Sequence, residues 1–231
     1  MIPFRSRLAE SLYRRTSLPF RVAFKAAAHA RTRRPFRQLV DGDQGTGLDK
    51  HTQAYFDELW KFGYHRMYDV VRHLDPSIDR GPLKVLSLGP RTEIELYYLW
   101  LIFGFTWENI TGVDLVSPSE KIELGDMGDR LPFPDNAFDV LVASHCLEKS
   151  LDPVRTRDEI KRVSRPGGYV CIAGNRFTAE ELRVRQSELP LHFFRHGAYG
   201  LIEQYGLEVK DIEYLNASGP SGFEIIFRVA K

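Results

Sequence analysis

The chain has 231 residues, enough for one α/β domain with an appendage and too few to suggest two full domains of the usual ~100 to 200 residues. A 43% hydrophobic fraction with 12% aromatic and 27% charged residues excludes wholesale disorder. The longest apolar run, Leu96 to Phe105, falls short of the roughly 18 residues of a membrane span.

The formal net charge of +1 conceals a division. Residues 1–40 hold ten bases against one acid, Glu10, a net of +9, while the remainder has 22 bases against 30 acids, a net of −8. Such an arm suits an anionic partner: a membrane surface, nucleic acid or the acidic body of the protein itself. Phe4, Leu8 and Leu12 recur at four-residue spacing among arginines, which predicts a short helix with an apolar stripe beside a basic face. That pattern fits docking on an anionic membrane, and it equally fits a terminal helix packed on the domain. The Arg-rich, acid-poor start also resembles a mitochondrial transit peptide, but no cleavage site is marked. Turn formers from Asp41 to Gly47 read as a linker, so residues 1–48 are expected to be arm and linker and 49–231 the domain.

Within the domain, Phe56, Leu59, Trp60, Met67, Val70, Val71 and Leu74 recur mostly at three- and four-residue steps, predicting a helix that Asp75-Pro76-Ser77 ends. Strands are predicted at Val85 to Leu88, Ile110 to Asp114, Phe138 to Ala143 and Tyr169 to Ala173, with helices from Glu93 to Phe103, near Val154 to Val163 and near Gly197 to Tyr205. Leu207-Glu208-Val209 and Gly222 to Val229 read as a terminal hairpin. Alternation of this kind predicts a mostly parallel sheet covered on both faces, with its ligand at the carboxyl ends of the strands. Cys146 and Cys171 lie in apolar stretches with neither CxxC spacing nor a disulfide framework; they read as small buried hydrophobes in a reducing, cytoplasmic setting. His51, His65 and His73 lack ligand spacing, and no metal site is expected.

The first strand runs into Gly89-Pro90-Arg91-Thr92-Glu93, and Asp114 closes the second. A glycine turn after one strand and an acid at the end of the next is the layout of a nucleoside site, with the carboxylate accepting from ribose hydroxyls. A dinucleotide cradle GxGxxG is absent, since Arg91 and Ile94 occupy two of its glycine positions, and no P-loop string occurs. NAD chemistry and phosphoryl transfer are therefore disfavoured.

Downstream come Gly125-Asp126-Met127, then the run Leu131 to Glu148 (LPFPDNAFDVLVASHCLE), Asp152-Pro153, Glu159 to Val163 and Arg165-Pro166-Gly167-Gly168-Tyr169. These resemble a class I S-adenosylmethionine-dependent methyltransferase of the small-molecule, type 11-like group, whose pattern is GD-x-x-x-LPFPDNSFD, S-x-x-LEH and REIxRVLKPGG. The resemblance spans roughly Val85 to Ala173. It implies a Rossmann-like, doubly wound, mostly parallel seven-stranded sheet with an antiparallel C-terminal strand, here carrying a basic helical N-terminal extension. It also implies S-adenosyl-L-methionine as cofactor and an acceptor that is a small molecule or is glycan- or lipid-linked. By position, Gly89 would lie beside the methionine part of the cofactor and Asp114 on the ribose with Leu115 next to it. Asp126 would take the adenine amine with Met127 on the ring, and Ser144 and His145 would line the floor.

The first glycine motif departs from the family pattern. Ser87 stands where an acid is expected, and Arg91 and Glu93 stand where the second and third glycines are expected. Either cofactor binding is weakened, or Arg91 clamps the cofactor carboxylate and Glu93 takes its ammonium. The first alternative suggests a noncatalytic methyltransferase-like module docking through its arm. For an oxygen acceptor, which wants a base, His145 is the first candidate and His192 the second. The fourth strand ends in Ser144-His145-Cys146-Leu147 rather than the [DNS]-P-P-[YF] box of base-modifying enzymes, so nucleic acid is not the expected substrate. Acceptor choice would reside in residues 1–80 and Asn175 to Gly197; Tyr55, Trp60 and Tyr64 fit a lid or, from their helical spacing, core packing.

Overall fold

A computed structural model describes residues 37–38, 64–90, 93–117, 119–175, 198–206, 208, 212–216 and 222–230. The predicted basic helix of the arm, the 48/49 boundary, Arg91, His192, Tyr55 and Trp60 all lie outside the described residues.

Seven strands form one sheet: β1 (Val85–Leu88), β2 (Ile110–Asp114), β3 (Ile122–Leu124), β4 (Phe138–Ser144), β5 (Ser164–Asn175), β6 (Ile212–Asn216) and β7 (Gly222–Arg228). Their order is β3-β2-β1-β4-β5-β7-β6. Neighbours from β3 to β5 are parallel, and β7 runs antiparallel to both β5 and β6. This is the expected doubly wound sheet with a reversed C-terminal strand. β1 sits at its centre because all four of its residues are buried, as a strand covered on both faces requires.

Side-chain alternation sends successive residues to opposite faces. Val85, Ile110, Val140 and Ile226 join Val71, Leu74, Leu96 and Phe103 in one core. Leu86, Leu141, Phe223 and Ile225 join Ile160, Val163, Leu201 and Tyr205 in the other. Each wholly buried aliphatic or aromatic side chain contributes about 1.5–3 kcal/mol. On the first face lie helix α1 (Glu93–Leu101) and a 3-10 helix (Tyr64–His73). On the second lie α2 (Pro153–Val163) and α3 (Ala198–Tyr205).

Helix α2 begins where Asp152 accepts the Arg155 N–H at 3.0 Å and Pro153 occupies the first turn. Its buried Thr156, Glu159, Ile160 and Val163 make one stripe, so the sequence period and the packing agree. The Pro166-Gly167-Gly168 turn lies within β5 as a bulge. Ser164 pairs with Phe138 and Tyr169 with Val140, and the chain loops out between them. Gly167 takes φ +78°, and a Cβ on Gly168 would come within 2.8 Å of the Arg165 carbonyl oxygen.

Two expectations shift, and a third lies partly outside the described residues. α1 stops at Leu101 instead of Phe103, as the chain turns toward Gly104 at φ +82°. The described end of the Phe56 to Leu74 pattern winds as a 3-10 helix, which brings Val71 and Leu74, three residues apart, into line on the sheet. β7 pairs with Ile212–Asn216, and Leu207 and Val209 of the expected partner lie outside the described residues.

Candidate functional site

Four adjacent parallel strands, in the order β3-β2-β1-β4, deliver their carboxyl ends to one edge of the sheet. From β1 comes Gly89, from β2 Asp114 and Leu115, from β3 Asp126 and Met127, and from β4 Ser144 and His145. Backbone bonds knit these ends together. The Gly89 N–H donates to the Val113 carbonyl at 2.9 Å, the Gly125 N–H to Asp114 at 3.0 Å, and the His145 N–H to Ala173 at 2.8 Å.

Gly89 takes φ +63°, and a Cβ there would lie 2.9 Å from the Cβ of Cys146. Only glycine makes this turn without strain and contact at once. Behind it, Ser87 is wholly buried and registers against Gly112 and Val142, a slot where a hydroxyl is cheaper to bury than a carboxylate. Asp114 and Leu115 are half-buried. Asp126 is half-buried too, and its Oδ1 accepts the Gly128 N–H at 2.8 Å, an Asx turn that fixes the carboxylate. Met127 packs against the second core, and its carbonyl accepts from the Thr156 hydroxyl at 2.9 Å.

Ser144 is buried, and the half-buried His145 that follows holds φ +53°. A non-glycine residue in the left-handed region at a strand end is an uncommon conformation that concentrates at functional sites. Glu93 opens α1 and is wholly buried. Of the ten residues singled out from the sequence, Gly89, Asp114, Leu115, Asp126, Met127, Ser144 and His145 thus share one edge, with Glu93 at the start of the helix that follows Gly89.

Sequence reasoning missed two further acids, Glu95 and Glu148, which are 2% and 5% exposed. Burial pushes the Cys146 thiol far up, and Glu148, Asp114 and Glu95 push it further. Glu148, Asp114 and Glu95 thus lie within electrostatic reach of Cys146, beside the Gly89 turn, and Lys149 acts on the thiol in the opposite sense. Burial holds Cys171 up at about 12, so both thiols stay protonated at neutral pH and serve as packing groups. Among the described residues no cluster of three or more His, Cys, Asp or Glu has the geometry to hold a metal ion, and no helix is long and apolar enough to cross a membrane.

Comparison with known proteins matches this arrangement. Residues 103–172 match the model of the family described as "Methyltransferase domain". A chain of the complex between the Haloferax volcanii Trm112 methyltransferase activator and a methyltransferase superposes with a TM-score of 0.60 at 16% identity, covering 83% of this chain and 100% of that one. Haemonchus contortus phosphoethanolamine N-methyltransferase 2, solved with S-adenosyl-L-methionine, gives 0.61 at 12% identity over 80% of this chain and 59% of its own.

The fold is that of the class I S-adenosylmethionine-dependent methyltransferases.

By sequence, an uncharacterized methyltransferase of Schizosaccharomyces pombe is 52% identical over 42 residues, 18% of this chain; the match spans only 15% of that relative's length.

In this methyltransferase fold the loop between β3 and β4, which follows Asp126 and Met127, is clamped from α2. The Arg162 guanidinium donates to the carbonyls of Leu131 (3.1 Å) and Phe133 (2.8 Å), to Asp135 (2.7 Å) and to Glu159 (2.6 Å). Glu159 in turn accepts the Leu131 N–H at 2.8 Å. Arg162→Ala leaves these acceptors unserved and should lower unfolding stability by about 2–4 kcal/mol, measured by urea denaturation at pH 7. The Arg162 hydrogen bonds hold the Glu159 carboxyl below its ordinary 4.5. Since the folded value is the depressed one, the stability Glu159 supplies is full above pH 4.5 and is lost as pH falls through the folded value. Glu159→Gln should flatten that part of the acid limb.

Proposed function

We propose that the chain is an S-adenosylmethionine-dependent methyltransferase acting on a small-molecule, glycan- or lipid-linked acceptor. The observation that carries the reading is the hydrogen-bonded convergence of Gly89, Asp114 and the Asp126 turn at adjacent strand ends. The residues present fit this cofactor. A glycine turn admits close backbone approach, Asp114 offers a two-oxygen acceptor to a ribose diol, and Asp126 with Met127 offers an acceptor and a soft apolar face to an adenine.

When bound, the cofactor supplies an electrophilic methyl group with a neutral leaving group. The protein's task is then alignment, with a base for an oxygen acceptor. His145 is the residue assigned to that base, because its left-handed backbone and its N–H bond to Ala173 fix the imidazole's origin at the end of β4. In this reading Arg91 clamps the cofactor carboxylate and Glu93 its ammonium, and His192 stands by the acceptor. Cytoplasmic residence and docking of residues 1–40 on an anionic membrane belong to the same reading.

Isothermal titration of the full chain with S-adenosylhomocysteine tests it and should give saturable binding near one per chain. Flat heats on a folded sample would favour the noncatalytic docking module. For the base, His145→Asn tolerates the left-handed backbone. Tritium transfer from methyl-labelled S-adenosylmethionine into the small molecules and lipids of a cell extract should fall about 100-fold, with the Kd for S-adenosylhomocysteine unchanged within threefold. Unchanged transfer would remove His145 from the reaction.

A further inference from the structure

We propose that Thr156 is a positioning residue that fixes the adenine side of the site through the backbone of Met127, an inference that rests on the cofactor reading above. Thr156 lies in the first turns of α2, wholly buried, at a point where three segments meet. Its own N–H is used by the helix, donating to the Asp152 carbonyl at 2.9 Å. Its hydroxyl lies 2.9 Å from the Met127 carbonyl oxygen and 2.7 Å from the Ser150 hydroxyl.

The direction of this relay follows from counting protons. A carbonyl only accepts, so the single Thr156 proton goes to Met127, and the bond to Ser150 then requires the Ser150 hydroxyl to donate. Ser150, 1% exposed, follows the floor segment after β4, whereas Met127 follows β3. Two buried hydroxyls thus tie the turn that carries Asp126 and Met127 to the loop that follows His145. A further tie to this turn, Arg155 to Asp129 at 2.5 Å, joins side chains 54% and 69% exposed. Water and salt screen such a pair, so it adds little restraint.

At its Met127 end the tie reaches the residues assigned to the adenine, and at its Ser150 end it meets the loop that follows His145. It sets where the Met127 backbone sits, and hence where the Met127 side chain and the neighbouring Asp126 carboxylate stand. The Gly89 turn is held separately, by its N–H bond to the Val113 carbonyl. Valine in place of threonine keeps the shape and removes the proton, leaving the Met127 carbonyl unserved. The loss should therefore appear as weakened reading of the adenine, not as uniform weakening of the ligand.

The test is titration of the full-length wild type, Thr156→Val, Thr156→Ser and Ser150→Ala with two probes, S-adenosylhomocysteine and its inosine counterpart, which lacks the six-amino group. Thr156→Val should weaken the adenosine probe about tenfold and the inosine probe no more than about threefold, so that discrimination between them shrinks. Thr156→Ser should restore both, and Ser150→Ala, which keeps the bond to Met127, should give a smaller loss in the same direction. The chain has three methionines, so methyl-labelled methionine gives a sparse spectrum in which Met127 is assignable by Met127→Leu. Its resonance should move on adding S-adenosylhomocysteine to the wild type and should already be displaced in unliganded Thr156→Val. Equal weakening of both probes, or an unchanged Kd, would overturn the proposal. Should Thr156→Val fail to fold, an unaltered probe ratio in Ser150→Ala would overturn it. A wild type that binds neither probe would overturn the cofactor reading itself, and the inference with it.

Discussion

Asp114→Ala is expected to raise the Kd for S-adenosylhomocysteine by about two orders of magnitude or more while leaving the fold intact. In the proposed complex the carboxylate accepts from two ribose hydroxyls, and hydrogen bonds to a charged acceptor contribute about 1.5–3 kcal/mol each. Losing both amounts to at least about 3 kcal/mol, or more than 100-fold in Kd. The fold should survive because the bond from the Gly125 N–H to the Asp114 carbonyl does not involve the side chain, and because that side chain is only half-buried at the end of β2. Asp114→Asn, which keeps an acceptor oxygen and loses the charge, should fall between. Titration of each variant, with circular dichroism to confirm folding, decides the point. An unchanged Kd in folded Asp114→Ala would remove the ribose role.

Gly89→Ala should damage both stability and binding. The left-handed backbone at φ +63° costs a non-glycine residue about 1 kcal/mol. The added Cβ would also stand 2.9 Å from the Cβ of Cys146, an atom anchored directly to the backbone that cannot swing aside. Together these should cost about 2–3 kcal/mol, a fall in Tm of roughly 5–10 °C for a chain of this size. Affinity for S-adenosylhomocysteine should drop with it, because relief of the contact moves the turn away from the ends of β2 and β4. Gly89→Asn separates the two causes. Asparagine accepts the left-handed backbone more readily but carries the same Cβ, so a Tm close to that of Gly89→Ala would assign the damage mainly to the contact with Cys146. Wild-type melting in Gly89→Ala would contradict both causes.

The centre of the sheet was legible in the sequence because β1, β2 and β4 are mostly buried and so appear as short, predominantly apolar runs with turns at either end. Asp114 was legible for a related reason: an acid that ends such a run can only sit at the sheet's edge. β3 was not, since Ile122-Glu123-Leu124 is an edge strand whose single wholly buried residue leaves no pattern to detect. Nor was the two-residue antiparallel ribbon of Arg37 and Gln38 with Val116 and Ser117, because it joins segments nearly 80 positions apart. The Ile212–Asn216 partner of β7 was not legible because Ile212-Glu213-Tyr214 alternates no more distinctly than Leu207-Glu208-Val209.

At the site, the motif residues that follow β3 and β4 could be assigned only through the family resemblance of their motifs, whereas their supports could not be assigned at all. Glu95 lies inside an apolar helix, Glu148 follows a strand end, and Thr156 looks like an ordinary residue of an amphipathic helix until its hydroxyl is seen beside Met127. The left-handed backbone of His145 has no sequence signature either, since it is imposed by the pairing of β4 with β5.

The most direct measurement is a crystal structure of the full chain grown with S-adenosylhomocysteine. The account predicts a nucleoside seated across the ends of β1, β2 and β3, its ribose hydroxyls within about 3 Å of Asp114 and its adenine against Met127 with the amine on Asp126. A complex with the nucleoside elsewhere, or a space beside Gly89 taken up by the side chains of Arg91 and Glu93, would contradict it.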